Sequence, residues 1–554
     1  MTNPVRVPVL VVGAGPVGVT TANLLGHYGI ETLVIDRSPE VLDFPRAVGL
    51  DDEALRTFQA AGLADDMLRD MIQNVPMRMY TADKRCFAEI LPNTREYGWF
   101  RRNLFSQPLG ETTLRQGLQR YQHVQLKVST ELVAITQNET GVQATLRDAT
   151  GQEQLVHAQY LVACDGGRST VRDGVLKLPY EGKTHPAKWV VIECDQDPLD
   201  APYTALHCEP QRPYVCLRLP YGLRRWEFML FPGEDGEQML ATEKVHELLR
   251  NHVTDPSRLN VIRARVYTHN SRVAQSFVSG RVCLAGDAAH ITPPWIGQGL
   301  NAGLRDAFNV AWKLAWILQG RLKPEHLQSY HTERHAHAKA MIDLADLFGS
   351  VLSQRNRFVA WMRDRFFLSI KNIPRVRDYV LQMKFKPMPR FSSGVVLNSG
   401  HARQDELVGR MFIQPNVEAN DGLGVRRLDD MIGGRFALLG WRGDALAKAD
   451  EPLRRQMAQL HCVNLIGVRA RVSADEAMRC GVSPAQSTAL QDSENTLQLW
   501  FQSKAVDWVL IRPDRYVAAA GTWNDATEQL ERFCTQMLPM GTCNGAKVNE
   551  SAIT

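Results

Sequence analysis

An apolar run at residues 7–12, broken only by Pro8, ends in glycines, and apolar positions then recur at helical spacing through Ala22, Leu24 and Leu25. A second apolar run at residues 32–35 ends in Asp36. Short apolar runs bounded by turn residues predict buried strands, and the periodic stretch between them predicts a helix, so the chain starts as a β-α-β unit. Residues 72–105 and 180–266 are patterned differently. There polar and apolar residues alternate between Pro and Gly turns, as in "RPYVCLRLPYGLRRWEFMLFPGE". That period of two predicts antiparallel strands able to cover a pocket with one face. From Gly299 to Leu318 the positions Leu304, Phe308, Ala311 and Ala315 share one helix face, and helical patterning continues over 324–383. Residues 387–400 are rich in Pro, Ser and Gly and predict a linker. Beyond it, runs at 435–441, 463–468 and 506–511 predict strands with helices between and after them, which is the pattern of a separate α/β module.

At 554 residues the chain exceeds one core and predicts several domains. Hydrophobic residues at 44% and charged residues at 22% are those of an ordinary globular enzyme. A net charge of +4 without any Lys/Arg block excludes a nucleic-acid binder. No run reaches the about 18 apolar residues of a membrane span, and the first run is too short for a secretory signal, so a cytoplasmic protein is expected. The ten cysteines are scattered with no C-x-x-C, which predicts free thiols, and neither they nor the 15 histidines show metal spacing, so no metal is expected.

The glycines after the first run form a fingerprint, "VVGAGPVG". Gly13 permits a tight turn, Gly15 (between Ala14 and Pro16) lets the backbone approach a pyrophosphate, and Gly18 allows close helix–strand packing. Asp36, followed by Arg37, lies about 20 residues on, where a carboxylate accepts hydrogen bonds from a ribose. This Rossmann-type motif does not separate FAD from NAD. Two further motifs follow predicted strands. "LVACDGGRSTVR" carries Asp165–Gly166, and "GRVCLAGDAAHITPPWIGQGLNAGLRDAFNVAWKL" carries Gly286–Asp287, a Pro/Gly loop and the helix from Gly299.

In this order and spacing the three motifs resemble the group A FAD-dependent aromatic hydroxylases, whose fold is that of p-hydroxybenzoate hydroxylase, over residues 7–390. The resemblance implies an α/β fold. It places a Rossmann-type FAD-binding domain at 1–180 (with a substrate-side insertion near 72–105) and at 267–390, an antiparallel substrate-binding sheet at 181–266, and a thioredoxin-like domain at 400–554. It implies FAD as cofactor, NAD(P)H as a transient co-substrate with NADH favoured, and O2 as oxidant, through a flavin C4a-hydroperoxide. Gly13, Ala14, Gly15, Pro16, Gly18, Asp36 and Arg37 would hold the ADP half of FAD. Arg46 and Gln107 would touch its ribityl-phosphate region, and Asp165 would help organise FAD and NAD(P)H. Gly286 and Asp287 would meet the ribityl chain, and Pro294, Gly297, Gly299, Leu300 and Asn301 would run beside the ring. Asp36 stands where a longer Glu is frequent in this family. Further segments, among them "PRAVGLDDEALR", "KFKPMP" and "GRMFIQPNV", are similar to the branch that serves bacterial phenylpropanoid catabolism. That implies ortho-hydroxylation of 3-(3-hydroxyphenyl)propanoate, and of 3-hydroxycinnamate, to 2,3-dihydroxy products.

Several roles stay open at this level. His290 is a candidate proton carrier or a structural hydrogen-bonder, Pro294 a candidate catalytic-loop residue, and His269 and His207 weaker candidates for a phenol base. On the alternating strand around 224–228, Arg225 is a candidate partner for a substrate carboxylate, with Arg212 and Arg218 similarly open. Tyr214, Trp226, Trp189 and Phe228 are candidate pocket walls, though sheet packing explains them equally. The partners expected are a small phenolic acid and O2, without nucleic acid or membrane. The C-terminal module, lacking C-x-x-C, fits a structural role and is compatible with a homodimer. The same chemistry on another phenol, or a flavin-binding dehydrogenase or sensor without O2 chemistry, are the alternatives.

Overall fold

The computed structural model describes residues 4–419, 421–469 and 487–539. Val5–Val12 is the middle of a parallel array, with Thr32–Ile35 then Val124–Lys127 on one side and Glu153–Ala163 then Val282–Leu284 on the other. Strands covered on both faces are apolar throughout rather than alternating, which is why residues 7–12 read as a continuous run. Val9, Leu10 and Val11 are fully buried. The helix Pro16–His27 leaves the end of the first strand and packs on the long helix Gly299–Leu318. The fingerprint and the third motif therefore meet although some 270 residues separate them.

The two alternating regions form one sheet. Its order runs His290–Ile291, Val261–Ala274, Tyr180–Cys194, Arg224–Met229, Tyr214–Arg218, Thr204–His207, Met77–Tyr80, Cys86–Ile90. A parallel pairing of Thr204–His207 with Met77–Tyr80 joins the 72–105 insertion to the rest. Val261–Ala274 runs through the boundary expected at 266 and pairs at its far end with His290–Ile291, tying the sheet to the loop that follows Asp287.

In the C-terminal module Phe436–Trp441, Cys462–Arg469 and Thr488–Asp492 are parallel, and the Trp508–Ile511/Val517–Gly521 hairpin runs antiparallel on the other side. With helices Glu451–Gln459 and Ala526–Met537, this order is consistent with a thioredoxin-like core. Residues 470–486 and 540–554, part of the module expected at 400–554, lie outside the described residues.

The expected linker differs from its reading. Phe391, Val395, Val396 and Leu397 are buried. Val395 N–H donates to the Glu333 carboxylate at 3.1 Å, and Leu397 N–H donates to the Ala518 carbonyl at 2.7 Å. Gly394, at φ +113°, is required because a Cβ there would lie 2.3 Å from Glu333 Oε1. The segment is a strap whose backbone polar groups are satisfied by both modules.

The eight described cysteines are free thiols, and Cys480 and Cys543 lie outside the described residues. No helix among the described residues is long and apolar enough to cross a membrane.

Candidate active site

One cavity of about 380 Å³ runs between the two sheets. At one end it is lined by Gly15, Pro16, Arg46 and Gln107, in the middle by Gly166, Asp287, Pro294 and Gly297–Asn301, and at the other by the substrate-side sheet. Gly13, Ala14, Gly18, Asp36, Arg37, Asp165 and Gly286 are not part of this lining. Asp36 fixes the glycine loop, its carboxylate accepting from Ala14 N–H at 2.6 Å and Ser38 N–H at 2.8 Å. Arg37 is exposed beside it. Gly286, at φ +61°, donates its N–H to Asp306 at 3.1 Å.

The fit to FAD rests on groups left open in and next to the cavity lining. A Cβ at Gly15, Gly166 or Gly297 would meet no protein atom within 4 Å, so the backbone there is bare to a ligand. Gln107 Oε1 accepts from Arg46 N–H and Ala47 N–H, both at 2.8 Å, while its amide nitrogen has no partner among the described residues. The helix from Gly299 begins in the cavity lining at Gln298–Asn301 and has no side-chain cap, so the positive end of its dipole lies at the cavity. Asn301 spends its amide on backbone, accepting from Asp51 N–H and donating to the Gly49 and Gly297 carbonyls, and so holds two loops against each other. The Asp287 carbonyl accepts from Tyr180 O–H at 2.9 Å, and its side chain borders the cavity. Asp165 accepts from Val171 N–H, but its Oδ1 is buried with no partner among the described residues, and burial pushes its carboxyl up from the ordinary range. These residues suit a long polyhydroxylated dinucleotide.

The sheet divides the expected substrate residues by face, because successive side chains on a strand point to opposite sides. Trp189, Val191, Val215, Leu217, Arg225 and Glu227 face the cavity. Tyr214 and Trp226 face the other way, into a closed cluster with Val190, Phe228, Met239 and Leu249, which corrects their assignment as substrate contacts. His207 is on that side too, stacked between Tyr80 and Tyr214 at 4.8 and 4.1 Å. Arg225 does face the cavity, but its charge is taken up by Glu227 at 2.9 Å and Glu193 at 3.5 Å.

His290 is corrected as a catalytic candidate. It is 1% exposed, lies off the cavity lining, and its Nε2 is 2.6 Å from Asp306 Oδ2. Burial alone would raise the Asp306 carboxyl. His290 and Arg334 overcome this and hold it below its ordinary value, so the three form a structural cluster under the third motif. The histidine in the cavity is His269. Its ring stacks on Trp189 at 5.4 Å and meets the edge of Trp295 at 5.8 Å, with no hydrogen-bond partner among the described residues. Burial pushes its imidazole down to about 3, so it is neutral at physiological pH. Trp295, between the predicted Pro294 and Gly297, was legible as part of that loop, whereas Tyr267 and Arg102 carry no local signal that separates them from other strand residues.

A family profile described as FAD binding domain matches residues 6–345, and one described as HcaD C-terminal domain matches 409–536. The chain is 49% identical to 3-(3-hydroxy-phenyl)propionate/3-hydroxycinnamic acid hydroxylase 2 of Burkholderia vietnamiensis, covering 93% of each chain. It is 42% identical to the 3-(3-hydroxy-phenyl)propionate/3-hydroxycinnamic acid hydroxylase of Escherichia coli K12, covering 96% of this chain and 95% of that one. Among solved structures its fold is shared with the flavin-dependent monooxygenase PieE in complex with FAD and substrate, at TM-score 0.79 and 24% identity over 96% of this chain and 100% of that one. The aklavinone-11 hydroxylase complex with FAD and aklavinone aligns at TM-score 0.75 and 23% identity over 97% and 99%. The dinucleotide cradle, the apolar pocket beside it and these relatives together show that the chain belongs to the FAD-dependent 3-(3-hydroxyphenyl)propionate/3-hydroxycinnamic acid hydroxylase family.

Proposed function

We propose that this enzyme hydroxylates 3-(3-hydroxyphenyl)propanoate and 3-hydroxycinnamate ortho to the phenol, giving 2,3-dihydroxy products, with NADH as the favoured reductant, in the cytoplasm. The observation that carries this reading is the cavity joining the bare glycines at 15 and 297 to the apolar face at Trp189, Val191 and Leu217. Bound FAD supplies the redox chemistry, accepting two electrons from NAD(P)H and activating O2.

The protein's part is position and field. Arg46, the Gln107 amide and the N–H groups at Gly15 and Pro16's helix would hold the pyrophosphate and ribityl stretch, and Asp287 the neighbouring hydroxyls. Roughly half a positive charge at the N-terminus of the Gly299 helix would favour an anionic isoalloxazine ring. Trp189, Val191, Leu206, Val215 and Trp295 keep water from the reacting ring, which limits loss of O2 as free peroxide. His269, neutral and without a hydrogen-bond partner among the described residues, would accept the hydrogen bond of the substrate phenol and so hold its oxygen in place for reaction.

His269→Ala is therefore expected to lower kcat by about 100-fold while FAD stays bound, read by steady-state kinetics beside the flavin spectrum. Because the imidazole stays neutral above about pH 3, no acidic limb near pH 6.5 is expected from it in the wild-type kcat profile. A limb there that disappears in His269→Ala would contradict the assignment. The function itself is tested by incubating holoenzyme with NADH, O2 and a panel of phenolic acids. The expected product of 3-(3-hydroxyphenyl)propanoate carries one more oxygen, adjacent to the existing hydroxyl. Turnover only of phenols without an acidic side chain would overturn the substrate reading.

A further inference from the structure

Resting on the hydroxylation proposed above, we propose that Arg102 is the anchor for the substrate's side-chain carboxylate. Four arginines border the cavity: Arg46, Arg101, Arg102 and Arg225. Three are accounted for. Arg225 is neutralised by Glu227 and Glu193 and also donates to the Pro45 carbonyl. Arg101 donates to the Gln382 carbonyl at 2.9 Å and lies 3.7 Å from Asp52. Arg46 is exposed at the dinucleotide end, where its backbone N–H is bound by Gln107, and the pyrophosphate of FAD is its natural counter-ion.

Arg102 is different. Its side chain makes a single hydrogen bond, Nε to the Val75 carbonyl at 3.1 Å, and it has no ion pair among the described residues. Its cavity neighbours Val75, Leu104 and Leu217 belong to an apolar cluster. Burial pushes its guanidinium down to about 10, with no acid nearby to oppose the shift. A cation set in an apolar wall without a counter-ion is costly, and a ligand that brings the anion removes that cost. The geometry also selects the anion. With Nε held by Val75, the two terminal nitrogens are left as an end-on fork, the arrangement that receives both oxygens of a carboxylate.

The ligand class is thus an aryl-propanoate or aryl-propenoate, its ring toward His269 and its carboxylate on Arg102. Of the four arginines, Arg46 would then serve the dinucleotide and Arg102 the acid, one for each anionic ligand.

The test compares kcat/KM for 3-(3-hydroxyphenyl)propanoate and for the uncharged 3-(3-hydroxyphenyl)propan-1-ol in wild-type, Arg102→Gln and Arg102→Lys holoenzymes. Wild type should prefer the acid, and Arg102→Gln should shrink that preference about 100-fold. Arg102→Lys keeps the charge and loses the fork, so its preference should fall by about 10-fold. The lysine variant decides the matter alone if the glutamine variant does not hold FAD. A wild-type preference retained in full by the variant overturns the anchor while leaving hydroxylation standing. Failure of wild type to oxygenate either compound would instead remove the functional reading on which the anchor rests.

Discussion

Replacing Gly18 by alanine should give protein that purifies without its yellow colour. A Cβ at Gly18 would lie 1.9 Å from the Gly13 carbonyl oxygen and 3.2 Å from Cys164 Cβ. Neither neighbour can yield. Gly13 is itself held at φ +100°, where its own Cβ would meet the Cys164 carbonyl at 2.4 Å, and the Pro16–His27 helix is pinned against Gly299–Leu318. The methyl group therefore pushes the phosphate-binding loop off its position. Overpacking of this kind costs about 1–3 kcal/mol, and loss of that much binding energy alone weakens FAD by about 5- to 150-fold. Gly15→Ala supplies the contrast. Its Cβ meets no protein atom within 4 Å, so the apoprotein should melt where wild type does, yet the methyl group occupies the space FAD needs. Both variants should lose flavin absorbance, and only Gly18→Ala should also lower the apoprotein melting temperature. Retention of flavin by Gly15→Ala would show that the cofactor does not approach the backbone there.

Glu333→Ala should destabilise the folded chain by about 3–5 kcal/mol, because it strands the buried Lys313 and leaves Arg512 to Asp514 alone. Glu333 is fully buried, 2.8 Å from Lys313 Nζ and 2.8 Å from Arg512, and it also binds Asn309 and the Val395 N–H of the strap. It joins the long helix of the FAD-binding part to the C-terminal module through one carboxylate. Burial alone would raise this carboxyl. Arg512 and Lys313 overcome the effect and hold it at about 2, against an ordinary value of 4.5. A carboxyl whose folded value is depressed contributes stability that is fully present above its unfolded value and lost as pH falls through the folded one. The stabilisation should therefore be complete above about pH 4.5 and decline toward pH 2. Urea unfolding across that window should show a shallower acid limb for Glu333→Gln than for wild type. Identical limbs would place the stabilising charge elsewhere.

Much of this arrangement is legible in the amino-acid sequence. The run at 7–12, the glycines at 13, 15 and 18 and the Gly286–Asp287 loop each report local geometry, and local geometry is what residue type constrains most tightly. Facing is harder to read. The alternation at 224–228 shows that Arg225 and Trp226 point to opposite sides, but only the sheet's packing decides which side is the cavity. Arg225 had the residue type for a carboxylate partner, but Glu227, two residues on along the same strand, takes up its charge at 2.9 Å, with Glu193 of the neighbouring strand 3.5 Å away. Arg102 carries no carboxylate partner among the described residues, and only the packing of its neighbours decides that. His290 sits next to the best motif in the chain and is claimed by Asp306, 16 residues on. The strap at 387–400 has a linker's composition, yet its glycine serves close approach to Glu333 rather than freedom.

Cofactor and acid are to meet in one cavity with water excluded, and the coupling of NADH oxidation to product measures that directly. NADH oxidation, O2 uptake, hydrogen peroxide and dihydroxylated product are to be followed together with and without 3-(3-hydroxyphenyl)propanoate. NADH oxidation that accelerates on adding the acid, with O2 and product matching it one for one and little peroxide, is the predicted result. NADH oxidation indifferent to the acid, with all O2 recovered as peroxide, would contradict it.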